Sequence, residues 1–166
     1  GFDTHEWVGR QAWCDGQVGT FGLSYPGFTQ SLPATLRSQY LKAIAPIASQ
    51  QDNYGHHRID GVIHLAVALT FLNMLGRSMQ SESLQHLDQH ALFRYLPLVD
   101  AMEPVTATHP YYRGVLEHEA YDEWWSRYSL RDRYDEVAVP ALFITGWYDS
   151  LVHENFKLFN GWTQHA

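Results

Sequence analysis

Several features are scarce in this sequence, and each scarcity excludes a class of protein. Cysteine occurs once, at Cys14, so the chain cannot form a disulfide framework of its own. The 11 Lys and Arg residues are outnumbered by 18 Asp and Glu, and the net charge of −7 disfavours nucleic acids and anionic membranes as partners. No apolar run approaches the roughly 20 residues that a membrane-spanning helix needs. We therefore expect neither a nucleic-acid-binding protein nor a membrane protein.

Signals for cofactors, metals and targeting are also missing. There is no glycine-rich phosphate loop or dinucleotide fingerprint, so no cofactor is predicted. The His-Glu pairs at 118–119 and 153–154 lack the second histidine of an HExxH site. The remaining candidate ligands have no recognised metal spacing: His56 and His57 with Asp52 and Asp60, and His86 with His90. No metal is predicted. The N-terminal GFDTHEW is not a signal peptide, which leaves the compartment open, with the cytoplasm favoured.

Both ends of the chain carry alternating helix and strand patterns. Asp3 and Glu6 resemble a capping box at the start of a first helix. The following elements are predicted in order: a strand over Val18 to Leu23, a helix over Pro26 to Arg37, a strand over Leu41 to Ile47, and a strand from Ala141 in ALFITG. Alternation at these lengths predicts right-handed crossovers and a parallel α/β sheet.

The middle of the chain has a different character. The 93 residues from position 48 to position 140 greatly exceed the roughly 12 residues that a strand–helix–strand crossover requires. Three amphipathic patterns predict helices within them: Ile59 to Leu75, Glu82 to Leu96, and Glu117 to Trp125. We therefore predict a sheet core from residues 1–50 and 137–166, and a helical cap inserted as residues 51–136 over the loop edge of the sheet.

One serine lies between two glycines immediately after the first predicted strand. The segment Gly22-Leu23-Ser24-Tyr25-Pro26-Gly27 matches the G-x-S-x-G pattern with one extra residue. Glycines at these positions remove side chains that would collide in a tight strand-to-helix turn, and such a turn exposes the serine hydroxyl. The helix that follows would direct its N–H groups towards the serine, with the Tyr25 N–H as an oxyanion donor. A serine between glycines is also common in ordinary loops.

Asp149 follows the predicted strand Ala141 to Thr145, in the phrase GWYDSLVHENF. Because the carboxyl ends of parallel strands share one edge of the sheet, Ser24 and Asp149 are expected on the same edge. A serine nucleophile needs a base, and that base needs a carboxylate to orient it. Asp149 suits that role, although the alternative is that it merely caps the following helix.

Together these phrases resemble the CocE/NonD hydrolases, which include cocaine-esterase-like acyl esterases, X-Pro dipeptidyl-peptidases and α-amino-acid ester hydrolases. The resemblance rests on QAWCDGQVGTFGLSYPGFTQ, LKAIAPIAS, VPALFITGWYDS and HENFKLF. It implies a partial α/β-hydrolase fold, Ser24 as nucleophile, Asp149 as triad acid and Tyr25 as a backbone oxyanion donor. It also implies a small-molecule ester or short peptide as substrate, whereas the chemistry alone equally allows thioesters.

Aromatic residues are abundant, with 6 Trp, 10 Tyr and 8 Phe, and they fill cores more often than they line pockets. Trp147 and Tyr148 flank Asp149 and are candidates for substrate contact. Trp124 and Trp125 are pocket candidates too, although packing between cap and core is the alternative for both.

The catalytic base is not evident. In this fold the histidine follows the acid after a helix and another strand, which needs roughly 20–30 residues. His153 comes too early, and His165 follows Asp149 by only 16 residues. We therefore expect a serine hydrolase whose base and second oxyanion donor are absent from this chain, which would be inactive alone. The alternative from another class is a non-catalytic binding module that keeps the same turn as scaffold.

Overall fold

The computed structural model of the chain describes residues 1–71, 88–101 and 110–165. The chain divides into two compact units, of which unit 1 comprises Gly1–Gly55 with Trp125–Ala166 and unit 2 comprises His56–Trp124. The sequence-based boundaries after residues 50 and 136, and the predicted role of the insertion as a cap, stay predictions.

A parallel sheet lies at the centre of unit 1. Strand β1 (Val18–Leu23) pairs in parallel with β2 (Leu41–Ile47), from Val18 opposite Leu41 to Leu23 opposite Ile47. The register shifts once, between Val18 and Gly19. Both strands have the bounds predicted from their apolar patterns, which are confirmed.

A third segment lies on the other side of β2. It is joined by isolated parallel bridges, Ile44 to Ala141 and Ile47 to Ile144, and therefore falls short of the continuous strand that was predicted from Ala141. Pro46 provides the physical reason. The N–H groups of Ile44 and Ala48 donate to the carbonyls of residues 140 and 144, but a proline between them has no N–H to donate to residue 142. The sheet order is thus β1, β2, then residues 141–144.

Four helices accompany this sheet: α1 (Phe2–Gly9), α2 (Tyr25–Ala34), α3 (Asn53–His57) and α7 (Val152–His165), with a 3-10 turn at Tyr134–Glu136. Helix α2 confirms the predicted helix but ends earlier than predicted, before Arg37, which has a φ of 51°. The capping box was wrong. Helix α1 begins one residue before Asp3, and the Glu6 carboxylate instead accepts hydrogen bonds from Ser38 and Arg10.

One face of the sheet is covered and the other is open. Helices α2 and α7 and the segment before the third strand form the core on the covered face: Ala34, Leu41, Ile44, Leu130, Tyr134, Val137, Leu158 and Trp162. On the opposite face Phe21 is 82% exposed and Leu142 is 62% exposed. Parallel sheets are normally covered on both faces, so this sheet has an unusually exposed apolar face.

The described residues of unit 2 contain short elements. They are β3 (Arg58–Ile59), β4 (Val62–Ile63), a π-helix (Val67–Phe71), α4 (Gln89–Phe93), a 3-10 turn (Leu98–Asp100), α5 (Pro110–Glu117) and α6 (Glu123–Ser126), the last of which continues into unit 1. Strands β3 and β4 form an antiparallel hairpin.

The helices predicted for this region need correction. A helix beginning at Ile59 was wrong, because Asp60 and Gly61 adopt φ values of 51° and 84°, as the two central residues of a tight hairpin turn do. Within the described part of that prediction, Val67–Phe71 is helical, as a π-helix. Of the helix predicted over Glu82 to Leu96, the described residues 88–96 contain α4, whose start is capped by Asp88. The helix predicted from Glu117 was also wrong, since α5 ends there and Asp122 accepts a hydrogen bond from the Trp124 N–H at the start of α6. Residues 72–75 and 82–87 of these predictions lie outside the described residues.

Candidate active site

Ser24 occupies the turn between β1 and α2. Its φ of 62° and ψ of −122° place a non-glycine residue in a sparsely populated and strained region of backbone space. The turn is held by hydrogen bonds from the Ser24 N–H to the Ile47 carbonyl, at 2.8 Å, and from the Gly27 and Phe28 N–H groups to the Ser24 carbonyl. The tight, strained strand-to-helix turn that was predicted at this serine is present.

Ser24 does not behave as an ordinary helix cap. A capping serine has extended backbone dihedrals, and its side-chain oxygen accepts a hydrogen bond from the first turn. Ser24 has neither feature, since it makes no side-chain cap hydrogen bond and has a positive φ. Its half-buried hydroxyl is therefore not used to start α2.

The two flanking glycines are required by close packing. A Cβ atom at Gly22 would lie 2.6 Å from the Pro26 Cβ and 3.0 Å from the Pro26 carbonyl carbon and oxygen. A Cβ atom at Gly27 would lie 3.1 Å from the carbonyl oxygens of Gly22 and Ile47. Most of these neighbours are backbone atoms, so the turn could not accommodate side chains without moving.

Replacing Gly22 with alanine is expected to lower the free energy of unfolding by about 1–3 kcal/mol, because the new methyl group would overpack the turn. Urea denaturation measures the effect. Gly19→Ala is the matched control in the same strand, since its Cβ would have only the Ala43 carbonyl oxygen, at 3.9 Å, within reach. Equal stability of the two variants would contradict the tight packing described for this turn.

The start of α2 offers a donor beside Ser24. Pro26 has no N–H, and the N–H groups of Gly27 and Phe28 are used within the turn. Within the described part of the chain, the N–H of Tyr25 has no hydrogen-bond acceptor. It is the first N–H of the helix, at the positive end of the helix dipole, where a developing negative charge is stabilised.

Asp149 lies in the turn that follows the third segment of the sheet. Because residues 141–144 run parallel to β1 and β2, Asp149 and Ser24 both follow carboxyl ends of strands at one edge of the sheet. The Asp149 Oδ1 accepts a hydrogen bond of 2.7 Å from the Leu151 N–H, and its carbonyl accepts one from the Val152 N–H. One carboxylate oxygen therefore caps the start of α7, which is the alternative role considered from the sequence.

The four aromatic candidates have different surroundings. Trp147 is 81% exposed and contacts Phe156 at a ring-centroid distance of 5.9 Å, and Tyr148 is fully exposed. Trp125 is only 2% exposed and packs edge-to-face on Tyr54, which favours a packing role. In unit 2, the half-buried Trp124 stacks on His118 and contacts Tyr111.

The two histidines that follow Asp149 are both on α7. The Nε2 of His153 lies 3.3 Å from the carbonyl oxygen of Gly55. His165 lies at the other end of the helix, which is about 21 Å long, and its ring stacks on Tyr134. The nearby Trp162 donates to the carbonyl of Val139, which precedes the third segment. His165 therefore lies at the edge of the sheet opposite to Ser24.

His57 of unit 2 is not poised for proton transfer. Burial, followed by the positive charges of His56, His64 and Arg58, lowers the pKa of His57 to about 3. A general base works best with a pKa near the working pH, so this imidazole is unsuited to the role in its present surroundings.

A buried polar cluster that the sequence interpretation missed lies in unit 1. Asp52 is fully buried and accepts hydrogen bonds from the Gly55 N–H, at 2.6 Å, and from Arg131 Nε, at 3.1 Å. Glu154, in the first turn of α7, is also fully buried, and its Oε1 accepts from Lys157 at 2.8 Å. In the sequence, Glu154 follows Asp149 by five residues and precedes Lys157 by three. The sequence interpretation considered Glu154 only as part of an incomplete HExxH metal-binding motif.

Burial is the main cause that raises the pKa of Glu154 above the ordinary glutamate value of 4.5, opposed by the Lys157 hydrogen bond. A raised folded-state pKa stabilises the fold only while the carboxyl is protonated, and this contribution is lost as the pH rises through that pKa. The ionised carboxylate therefore destabilises the fold at neutral pH.

Glu154→Gln is accordingly expected to raise the free energy of unfolding at pH 7 by about 1 kcal/mol, because it removes a buried charge and keeps the acceptor for Lys157. The gain should shrink as the pH falls below the ordinary glutamate pKa of 4.5, because the wild-type carboxyl then becomes neutral in both states. Glu136→Gln is the control, since the hydrogen bond from Arg133 lowers the pKa of Glu136 and reverses the sign of its pH dependence. A constant difference between pH 4 and pH 7 would contradict the burial of a charge.

Within residues 1–71, 88–101 and 110–165, no three His, Cys, Asp or Glu side chains are grouped so that they could hold a metal ion. The helices described there are also too short or too polar to cross a bilayer. His86, which was weighed as a ligand with His90, lies outside these ranges.

Comparisons with known proteins identify the family. Residues 1–166 match the family model of the X-Pro dipeptidyl-peptidases (S15 family). Cocaine esterase of Rhodococcus sp. (strain MB1 Bresler) is 32% identical over 179 residues, which cover 95% of this chain and 30% of cocaine esterase.

Two solved structures have similar folds. An α-amino acid ester hydrolase has a TM-score of 0.67 at 20% identity, covering 96% of this chain and 28% of that chain. A CocE/NonD family hydrolase from Staphylococcus aureus has a TM-score of 0.55 at 19% identity, covering 84% and 21%. The chain thus spans less than a third of each of these three proteins. The α/β-hydrolase fold and the CocE/NonD resemblance drawn from the sequence are confirmed, and the chain belongs to the S15 family.

Proposed function

We propose that this chain carries the nucleophile and the acid of a serine hydrolase, with Ser24 as the nucleophile. The observation that carries the proposal is the turn at Ser24, because its strained dihedrals leave the hydroxyl uninvolved in capping. Ser24 Oγ attacks the carbonyl carbon of the substrate and its proton passes to a base. The tetrahedral oxyanion that forms accepts a hydrogen bond from the Tyr25 N–H. Collapse of this intermediate expels the alcohol or amine and leaves an acyl-enzyme, which water then hydrolyses.

Asp149 is proposed to orient the base and to stabilise its protonated form. Support comes from its location at the sheet edge that also carries Ser24. The capping hydrogen bond to Leu151 uses Oδ1, so Oδ2 is the atom proposed to accept from a histidine. Capping and catalysis are compatible, since the capping bond fixes the carboxylate in one orientation.

The base and the second oxyanion donor are proposed to come from outside these 166 residues. The order Ser, Asp, His leaves only His153 and His165 as candidates in this chain. His153 is engaged with the Gly55 carbonyl, and His165 stacks on Tyr134 at the opposite edge of the sheet. The greater length of the relatives is consistent with this arrangement.

The proposed substrates are carboxylic esters and X-Pro amides of small molecules or short peptides. These classes follow from the names of the relatives, which are a cocaine esterase, X-Pro dipeptidyl-peptidases and an α-amino acid ester hydrolase. Trp147 and Tyr148 are proposed to contact the substrate, since both are exposed beside Asp149.

The experiment compares two substrates in the full-length natural protein. Hydrolysis of a p-nitrophenyl ester and of an X-Pro p-nitroanilide is measured for the parent, Ser24→Ala and Ser31→Ala, the last being a buried serine on helix α2. Release of nitrophenol or nitroaniline that Ser24→Ala abolishes and Ser31→Ala retains supports the proposal, and the faster substrate identifies the bond class. No hydrolysis of either substrate by the parent would favour the non-catalytic binding module.

A further inference from the structure

The two segments that connect unit 1 to unit 2 are held together by buried polar and aromatic contacts within unit 1. The chain leaves unit 1 after Gly55 and returns at Trp125. Just before the exit, Asp52 accepts from Gly55, Ser129 and Arg131. These connecting segments, residues 52–55 and 125–131, are here called the stem.

Aromatic contacts reinforce the stem. The ring of Tyr54 packs edge-to-face on Trp125, with ring centroids 5.5 Å apart. The guanidinium of Arg131 lies over the same Tyr54 ring, 5.4 Å from its centroid. One ring thus contacts the return segment at two points, while Asp52 and Trp125 are both almost fully buried.

Glu154 connects the stem to the turn that carries Asp149. Its carboxylate lies so close to Gly55 that a Cβ atom at residue 55 would collide with it. From the adjacent position on α7, His153 Nε2 lies 3.3 Å from the Gly55 carbonyl oxygen. Since α7 begins at Val152, and the N–H groups of Leu151 and Val152 bind Asp149, the first turn of this helix touches both the stem and the acid.

The ionised carboxylate of Glu154 does not stabilise this arrangement. The Glu154 Oε2 is buried and, within the described residues, has no hydrogen-bond partner. A half-satisfied buried carboxylate destabilises a fold, and an apolar or amide side chain of the same size would fit without that cost. The close contact of the Glu154 side chain with Gly55, rather than its charge, is therefore the feature that can position the start of α7.

We propose that Glu154 is a positioning residue, which holds the Asp149 turn in place by wedging the start of α7 against Gly55 of the stem. The role of Asp149 as the acid rests on the proposed function, whereas the mechanical connection does not. The shape of the side chain and its bond to Lys157 carry the effect, so the isosteric amide should preserve it.

The connection is tested by hydrogen exchange on the full-length natural protein. Glu154→Ala is expected to speed exchange of the Leu151 and Val152 amides by about tenfold or more, since local opening exposes hydrogen bonds that lose support. Glu154→Gln should stay close to the parent, as should the matched control Glu136→Ala. Unchanged exchange at both amides in a folded Glu154→Ala variant would overturn the proposal.

A second variant, Gly55→Ala, disturbs the same contact from the stem. It keeps the proposal testable if Glu154→Ala does not fold. Gly55→Ala introduces a methyl group into the space of the carboxylate, so it should speed exchange at the same two amides. Combining it with Glu154→Ala frees that space, so the two effects should be less than additive. Strict additivity, or no effect of Gly55→Ala, would overturn the proposal.

A further experiment measures ester hydrolysis by Glu154 variants of the full-length protein. Its interpretation depends on the proposed function. Glu154→Ala should lower kcat for the ester by about tenfold with little change in KM, because the wedge acts on the acid rather than on substrate binding. Glu154→Gln should restore kcat. A change in KM alone would overturn the positioning role. If Ser24→Ala retains full activity, the proposed function fails, while the exchange result still decides the mechanical connection.

Discussion

Replacing Ser24 with alanine is expected to lower kcat/KM for a p-nitrophenyl ester by on the order of 10⁴- to 10⁶-fold in the full-length protein, the range associated with loss of a nucleophile. The physical reason is that no acyl-enzyme can form without Oγ, whereas the Tyr25 N–H remains. Steady-state kinetics measure the loss. The fold should survive, because the Ser24 side chain makes no cap hydrogen bond and its backbone contacts do not depend on it.

Ser31→Ala is the control for this prediction. Ser31 lies on α2, is fully buried, and its hydroxyl has no hydrogen-bond partner among the described residues, so its removal should leave kcat/KM within about twofold. A loss of less than tenfold in Ser24→Ala would show that another group attacks the carbonyl.

The 166-residue chain alone is expected to hydrolyse the same ester at least about 10³-fold more slowly than the full-length protein. Without a base, Ser24 keeps the weak nucleophilicity of a free hydroxyl. The exposed apolar face around Phe21 and Leu142 also predicts self-association, so the assay requires gel filtration of the sample first.

Two variants of the 166-residue chain serve as controls for this prediction. Ser24→Ala and His165→Ala should not change the residual rate, since His165 stacks on Tyr134 at the far edge of the sheet. Robust turnover that vanishes in both variants would contradict this prediction and would make His165 the base.

The sheet and the serine turn could be predicted from sequence because local signals and the fold agree there. The apolar runs of β1 and β2 match the observed bounds, and the glycines around Ser24 are required by the contacts of Pro26 and Ile47. Glycine is needed where backbone segments approach each other closely, so the positions of glycine in the sequence indicate such an approach.

Other features could not be predicted in the same way. The break in the third strand depends on which carbonyl faces Pro46, and this is fixed only by the register of the sheet. The hairpin at Asp60 and Gly61 has a local turn signal, because Asp-Gly is typical of a two-residue hairpin turn. The apolar residues around it have helical spacing, and this spacing led to the incorrect prediction of a helix.

The wedge at Glu154 depends on contacts between segments far apart in sequence. Gly55 and Glu154 are separated by 99 positions, and nothing near either residue indicates that they meet. Tertiary contacts of this kind leave no local pattern. The burial of Trp125 could not be predicted for the same reason, since an exposed pocket residue and a packed core residue can have the same sequence spacing.

Whether Ser24 is the nucleophile is tested most directly by locating the residue that reacts with a fluorophosphonate probe. The full-length protein is labelled, digested and analysed by mass spectrometry, with Ser24→Ala and Ser31→Ala treated in parallel. One adduct is expected, on the peptide containing Ser24, which disappears in Ser24→Ala and persists in Ser31→Ala. An adduct on any other residue, or ester hydrolysis without an adduct on Ser24, would contradict this role of Ser24.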